Sequence, residues 1–303
     1  MTAGDVAVTL TVAAPAKLNL YLHVVGRRAD GFHLLDSLVA FTAVGDELSF
    51  TPAADLTLSI DGPFADRLAA DADNLVLRAA RALADAAGRD PAVAIRLIKR
   101  LPVASGIGGG SADAAAALHG LNALWNLRLP DQRLRAIALD LGADVPVCVT
   151  GAPSFFGGIG EEIAPAPPLP RAHVVLVNPG TPLPTASVFR RRAATPAGTQ
   201  YSAPSRWTTA VPDAVTLAGL LAKRRNDLTD AAAALVPDIG DVLTRLGHVP
   251  DCLLARLSGS GATCFGLFAE RGAAREAAAL IAAERPSWWV VATTLSPPAA
   301  RLR

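Results

Sequence analysis

Leu101-Pro102-Val103-Ala104-Ser105-Gly106-Ile107-Gly108-Gly109-Gly110-Ser111-Ala112-Asp113 is the stretch on which the reading of this 303-residue chain turns. Four glycines within five positions strip a loop of side chains and permit positive φ, so successive backbone N–H groups can converge on an anion. The segment 93–98 before it reads as a strand. The alanine-rich run 112–125 after it, with Leu118, Leu121 and Leu124 on one side, reads as a helix. First-turn amides and the dipole of that helix would add to the anion site. Ser111 stands where it can cap the helix or give its hydroxyl to a phosphate. A plain connector would need neither flanking element, so phosphate binding is the expectation. Other glycine signatures do not fit: no lysine follows Gly110, and Ser111 occupies the third-glycine place of dinucleotide-binding and protein-kinase loops. The amides, not an adjacent lysine, are expected to hold the phosphates.

Outward from this loop, strand patterns occupy 6–12, 18–25, 47–50 and 56–60, and Asp73-Asn74 caps a helix that Gly88 closes. Downstream lie a helix over 131–139 and strands over 145–149 and 154–156. Four prolines in 164–170 then end all regular structure, which sets a boundary between domains 1–165 and 171–303. The second part reads as strand 174–177, helix 186–192, a loop over 195–212 and helical segments at 215–222 and 228–246. Strands at 253–257 and 263–268, helix 273–283 and strand 288–293 complete it. Interleaved strands and helices of this kind predict an α+β fold.

Composition narrows the function classes. With 51% hydrophobic residues and a net charge of +1, the chain is neither disordered nor furnished with the basic face of a nucleic-acid or membrane-surface protein. Neither nucleic acid nor membrane is an expected partner. No stretch approaches the ~20 apolar residues that span a bilayer, and the N-terminus shows no secretory signal. Cys148, Cys252 and Cys264, odd in number and widely spaced, read as buried thiols of a cytoplasmic protein. Of 28 basic residues only Lys17, Lys99 and Lys223 are lysines. A GC-rich coding sequence explains the arginine bias, but not where lysine survives.

Two further constellations frame the loop. In Pro15-Ala16-Lys17-Leu18-Asn19-Leu20, continuing through Gly26-Arg27-Arg28-Ala29-Asp30-Gly31-Phe32-His33, strand alternation puts Lys17 and Asn19 on one face while Leu18 and Leu20 fill the core. An exposed polar face is an equally simple reading of that pattern alone. Leu257-Ser258-Gly259-Ser260-Gly261-Ala262-Thr263 is a second small-residue loop between strands, which a tight hairpin would also explain.

Together these three segments resemble the motifs of the GHMP kinase superfamily. The first of them and Leu141-Gly142-Ala143-Asp144-Val145-Pro146-Val147 resemble most closely the branch whose substrate is 4-diphosphocytidyl-2-C-methyl-D-erythritol. The resemblance covers nearly the whole chain. It implies a two-domain GHMP kinase fold, with a ribosomal S5-like N-terminal domain and a ferredoxin-like C-terminal α/β sandwich. The implied activity is ATP-dependent phosphorylation of the substrate's 2-hydroxyl in non-mevalonate isoprenoid precursor biosynthesis, by a monomer or weak homodimer. The resemblance makes Asp144 the catalytic base and Lys17 its neighbour. It places ATP on the loop from Pro102 to Ala112, with Asn74 and Lys99 toward the adenine end. It places the cytidine substrate on Asn19, Phe32, His33, Phe189 and the Ser258-Gly259-Ser260-Gly261 loop. Mg²⁺ is expected with ATP, although no carboxylate cluster announces its ligands. Phe32 stands where the family usually has tyrosine, which keeps stacking but loses a phenolic hydrogen bond. Ile107 replaces the usual leucine. The turn at Gly157-Gly158-Ile159-Gly160-Glu161 lacks a charged residue often found there and is assigned no role. A mevalonate- or homoserine-type kinase, a non-catalytic nucleotide-binding module and an RNA-binding protein on the S5-like fold are the competing readings. Lys17 and Asp144 speak against the second, and near-zero net charge against the third.

Overall fold

One long hairpin carries the N-terminal half: β1 (Leu10–Arg27) and β2 (His33–Pro52) pair antiparallel from Leu10↔Phe50 to Arg27↔His33. The computed structural model describes residues 9–195 and 200–296. The start of the expected strand over 6–12, the outer ends of both expected domains and positions 196–199 of the expected loop lie outside the described residues. The strands expected at 6–12 and 18–25 are one element. Pro15, which has no N–H for a ladder, falls at a register shift between Pro15 and Lys17, and a bulge is where a strand tolerates proline. Its partner Gly45 has no room for a side chain, since an added Cβ would lie 2.3 Å from the Ala14 carbonyl oxygen.

The other edge of β2 takes three strands in turn. These are β4 (Val93–Ile98) along Glu47–Pro52, β10 (Trp289–Ser296) at Phe41 and Thr42, and β5 (Ser154–Gly158) along Leu35–Val39. β3 (Thr57–Asp61) extends β4 in parallel, and β6 (Glu162–Pro165) extends β5 antiparallel. Helices α1 (Leu75–Ala87), α2 (Gly109–Leu124), α3 (Asp131–Leu139) and α4 (Val145–Thr150) bury one face of this sheet, against Val12, Ala14, Phe41, Leu48, Phe50, Ile95 and Leu97.

In the C-terminal half β7 (His173–Asn178), β8 (Leu254–Leu257) and β9 (Cys264–Phe268) join β10 in the antiparallel order β10-β7-β9-β8. Both faces are covered. Val175 and Val177 pack toward α5 (Thr185–Ala193), α7 (Thr229–Leu235), α8 (Asp238–Gly247) and α9 (Arg271–Glu284). The alternate residues Val174 and Leu176 share a core with α6 (Ala214–Ala222) and with Ala16, Leu18 and Leu20 of β1. The two halves are therefore joined by apolar packing as well as by β10.

Three further expectations change. Residues 145–149 form helix α4 rather than a strand, because a short apolar run has no periodicity to separate the two, and Pro146 in the first turn favours the helix. The helical stretch over 228–246 is two helices, divided at Val236-Pro237. α2 starts at Gly109, three residues before its expected beginning, with Gly108 in the left-handed region at its head. Ser111 therefore lies within the first turn and is not the cap. No helix among the described residues is long and apolar enough to cross a membrane. Cys148 and Cys264 are buried, Cys252 half-buried, and no disulfide joins them.

Candidate active site

The bulge after Pro15 decides which way β1 points its polar residues. Before it, the even positions Val12 and Ala14 pack under the helices; after it, the even positions Ala16, Leu18 and Leu20 pack between the two sheets. Lys17 and Asn19 are thereby turned toward the helix side, against the glycine loop and the head of α4. The Lys17 ammonium donates to Asp144 Oδ2 at 2.8 Å and to Asn19 Oδ1 at 2.9 Å. The Lys17 side chain is 3% exposed and that of Asp144 38%, so the pair is closed behind the ammonium and open on the carboxylate side. Asp144 directly precedes α4, yet its carboxylate makes no capping hydrogen bond to that helix. The turn-capping role that an Asp before Val-Pro often has is not the one it plays. Asn19 is held from three sides: its amide nitrogen donates to Ser37 Oγ at 2.8 Å, its backbone N–H to Ser258 Oγ at 3.2 Å, and its oxygen accepts from Lys17.

The two small-residue loops lie backbone to backbone. Ser258 Oγ donates to the Gly106 carbonyl at 3.0 Å, and the Thr263 N–H donates to the Ser105 carbonyl at 3.0 Å. At Gly106, φ is +76°, and an added Cβ would lie 2.5 Å from the Ser258 carbonyl oxygen and 2.6 Å from Gly261 N. Glycine is required there by the second loop. At Gly108 an added Cβ would lie 2.9 Å from Lys17 Cε, so glycine lets the lysine stem pass beneath the start of α2. Leu101 and Ile107, fully buried, fix the loop's ends in the core between the sheets, and the Lys17 N–H donates to the Ile107 carbonyl at 2.9 Å. Ser105 Oγ closes back on the Pro102 carbonyl at 2.6 Å, and Ala104 takes a φ of +51°. The loop is thus shaped from below, and the leading N–H groups of α2 end it. On the far side, Ser260 Oγ meets Thr185 Oγ1 at 2.8 Å, and the Asn226 amide donates to the carbonyls of Leu257 and Gly259 at 2.9 and 2.7 Å.

At the other end of β2, His33 and Phe189 stack with ring centroids 5.0 Å apart and 20° between planes. His33 Nδ1 is buried without a partner. Burial, with the charges of Arg192 and Arg27 adding to it, pushes this imidazole's pKa below its ordinary value, so the ring presented at neutral pH is uncharged. Phe32 is 59% exposed on the turn beside it.

Two expected site residues are occupied elsewhere. Lys99 has its ammonium buried between Asp46 Oδ2 and Asp113 Oδ2, each at 2.6 Å, so its side chain does not reach outward to a nucleotide. Asn74 caps α1, its oxygen accepting from the Val76 N–H at 2.9 Å and its nitrogen donating to the Ala69 carbonyl at 2.8 Å. Sequence reading passed over Asp46, Ser37, Thr185 and Asn226. Asp46 reads as half of a Gly-Asp turn, and the other three lie in stretches without a periodic or motif signal. A cavity of about 1170 Å³ lies apart from all of these residues, between the proline-rich segment 165–170 and β10. Among the described residues no three His, Cys, Asp or Glu side chains gather to hold a metal ion.

Comparison with known proteins bears on both halves. Residues 74–152 match the GHMP kinases N terminal domain and residues 211–284 the GHMP kinases C terminal family. A 4-diphosphocytidyl-2-C-methyl-D-erythritol kinase of Paramagnetospirillum magneticum is 53% identical over 95% of this chain and 99% of its own length. The chain belongs to the GHMP kinases, in the 4-diphosphocytidyl-2-C-methyl-D-erythritol kinase family. The Rhodospirillum rubrum protein of the same name is 49% identical to this GHMP kinase over 96% of the chain and 94% of the relative. A crystal structure of a 4-(cytidine 5'-diphospho)-2C-methyl-D-erythritol kinase superposes on it with a TM-score of 0.74 and 34% identity, over 94% of this chain and 99% of that one. The α+β arrangement of this GHMP kinase, with helices packed on a mixed sheet, is the fold of its family.

Proposed function

We propose that this GHMP kinase transfers the γ-phosphoryl group of ATP to the 2-hydroxyl of 4-diphosphocytidyl-2-C-methyl-D-erythritol, giving the 2-phosphate and ADP in non-mevalonate isoprenoid precursor biosynthesis. The observation that carries the chemistry is the Lys17–Asp144 pair at 2.8 Å, open on its carboxylate side, beside a glycine loop that leads into a helix. Asp144 accepts the proton of the attacking hydroxyl as the new P–O bond forms and the bridging oxygen leaves with ADP. Lys17 holds that carboxylate in place through its 2.8 Å hydrogen bond and offsets charge on the transferring group. Loose transition states of this kind depend on positioning more than on base strength. The rigid loop-to-loop packing of Gly106 against Ser258 and Gly261 supports that emphasis.

The loop from Pro102 to Ala112 receives the phosphates on its amides. The cytosine ring rests on the aromatic patch of Phe32, His33 and Phe189, where the neutral imidazole offers a polar edge. Asn19 and the Ser258–Gly261 loop face the substrate between these ends. The division into 1–165 and 171–303 puts the catalytic pair in the first domain and completes the site with the second. Mg²⁺, when bound, would neutralise charge on the phosphates, and the Ser111 hydroxyl in the first turn of α2 would hold it together with phosphate oxygens and water. Three cysteines without a disulfide suit a cytoplasmic setting.

An ADP-release assay across the cytidylyl substrate, mevalonate and homoserine tests the reading, with Lys17→Ala and Asp144→Ala as controls. Turnover with the cytidylyl alcohol alone, abolished in both variants, is expected. Turnover with mevalonate or homoserine and none with the cytidylyl compound would overturn the substrate.

A further inference from the structure

Beneath the glycine loop lies a buried cluster that the reaction as described does not use. Lys99, at the end of β4, donates to Asp46 of β2 and to Asp113 of α2, both at 2.6 Å, and all three side chains are 2% exposed or less. The second oxygen of Asp46 accepts the N–H groups of Arg100 and Leu101, at 2.6 and 2.8 Å, which are the first two residues on the way into the loop. A Cβ added to Gly109 would lie 3.1 Å from the Lys99 nitrogen and 3.7 Å from Asp46 Oδ2. One ammonium thus sits under the first residue of α2, tied on one side to the strand that enters the loop and on the other to the helix that leaves it.

We propose that Lys99, through Asp46 and Asp113, is a positioning residue that sets the shape and the charge of the nucleotide-binding loop from below. The proposal rests on the reading of that loop as a phosphate site, and it adds a role for residues that touch no substrate. A network structural in the ordinary sense would be expected to balance its charges. This one holds two carboxylates against one ammonium, and Asp113 Oδ1 has no hydrogen-bond partner. Burial, reinforced by Asp46 and opposed by Lys99, pushes the Asp113 pKa up to about 7. Burial also works against the charge on Lys99, but Asp113 and Asp46 outweigh it and hold its pKa above the ordinary value.

The other groups packed on α2 leave this balance to the three residues named. α1 presents Val76, Ala79, Ala80 and Leu83, and α3 presents Leu134 and Ala138. From α4 come Val145, Val147, Val149 and the Cys148 thiol, and from β1 comes Lys17, which Asp144 engages. Arg100 turns outward to Glu47 at 3.9 Å. Below the Asp113 pKa the cluster is neutral. Above it the cluster carries one net negative charge directly under amides that receive an anion, and phosphate affinity falls.

The test is direct binding of ATP without the second substrate, measured by calorimetry on the full chain between pH 6 and 8.5, either side of an Asp113 pKa of about 7. Wild type is expected to weaken severalfold as pH rises, beyond any change caused by the nucleotide's own ionisation. Asp113→Asn, which keeps an acceptor for Lys99 but removes the charge, should flatten that loss of affinity with pH. Parallel profiles for the two proteins would overturn the proposal. Lys99→Met should weaken ATP binding by about tenfold or more at every pH, and Lys99→Arg should not restore it, since the broader guanidinium has no space under Gly109. If Lys99→Met does not fold, the Asp113→Asn profile decides alone. If wild type binds no nucleoside triphosphate at all, the functional reading fails and this inference with it; parallel profiles in a protein that does bind ATP sink only the inference.

Discussion

Lys17 and Lys99 stand on neighbouring parts of one site, both buried, each bonded to carboxylate, and they do different things. Lys17 has one acidic partner, Asp144, whose side chain is 38% exposed. Lys99 has two, both sealed. An ammonium paired with an accessible carboxylate can act on an arriving group, whereas an ammonium enclosed by two buried ones can only hold its surroundings in place. The difference comes from the partner's exposure and not from the lysine. It also accounts for the two adjoining glycines: Gly108 clears the stem of Lys17, and Gly109 clears the head of Lys99.

If the exposed carboxylate is the working group, the largest loss follows from removing it. Asp144→Ala should lower kcat by about 10²–10⁴-fold, the usual worth of a general base, while calorimetry still finds nucleotide binding. Wild-type turnover in that variant would place the chemistry elsewhere. Lys17→Arg should lower kcat by at least about tenfold in steady-state assays. Its stem passes 2.9 Å from where a Gly108 Cβ would be, and a planar guanidinium cannot present the same compact charge to Asp144. Full activity would show that any cation serves. Farther from both lysines, Phe189→Ala should remove the stacked partner of His33 and raise KM for the cytidylyl substrate by roughly 1–3 kcal/mol equivalent, with little change in kcat. The smallest effect belongs to Asn74→Ala, which deletes the cap of α1 and should cost ~1 kcal/mol in denaturant unfolding. A rise in nucleotide KM without that loss would return Asn74 to the adenine end of the site.

Much of the site is legible before any coordinates. Lys17 and Asn19 share a strand face, the glycine loop precedes a helix, and Asp144 stands at the start of a short apolar run. Those readings depend on short-range pattern, which alternation and glycine spacing carry well. Asp144 shows the limit of such pattern: the same Val-Pro-Val-Cys-Val run supports strand or helix, and burial of α4 on all sides selects the helix. The β1 bulge is a second case. Pro15 looks like the end of a strand, and only pairing with β2 shows the strand continuing past it with its faces exchanged. Lys99 is a third, because three residues before Pro102 it resembles a ligand to the phosphate loop until Asp46 and Asp113 close over it.

By itself the sequence determined the kinds of chemistry present: a loop of bare amides before a helix, a lysine and an aspartate, an aromatic pair with a histidine, and a near-neutral surface. The tertiary structure decided which of these act together. Lys17 and Asp144 are 127 residues apart in the chain, Lys99 and Asp46 are 53 apart, and Ser258 reaches Gly106 across 152. Local propensity cannot encode contacts at such separations; they form because the buried faces of β1, α2 and β9 admit one packing, and side-chain exposure, on which the roles of the two lysines depend, exists only after that packing is made.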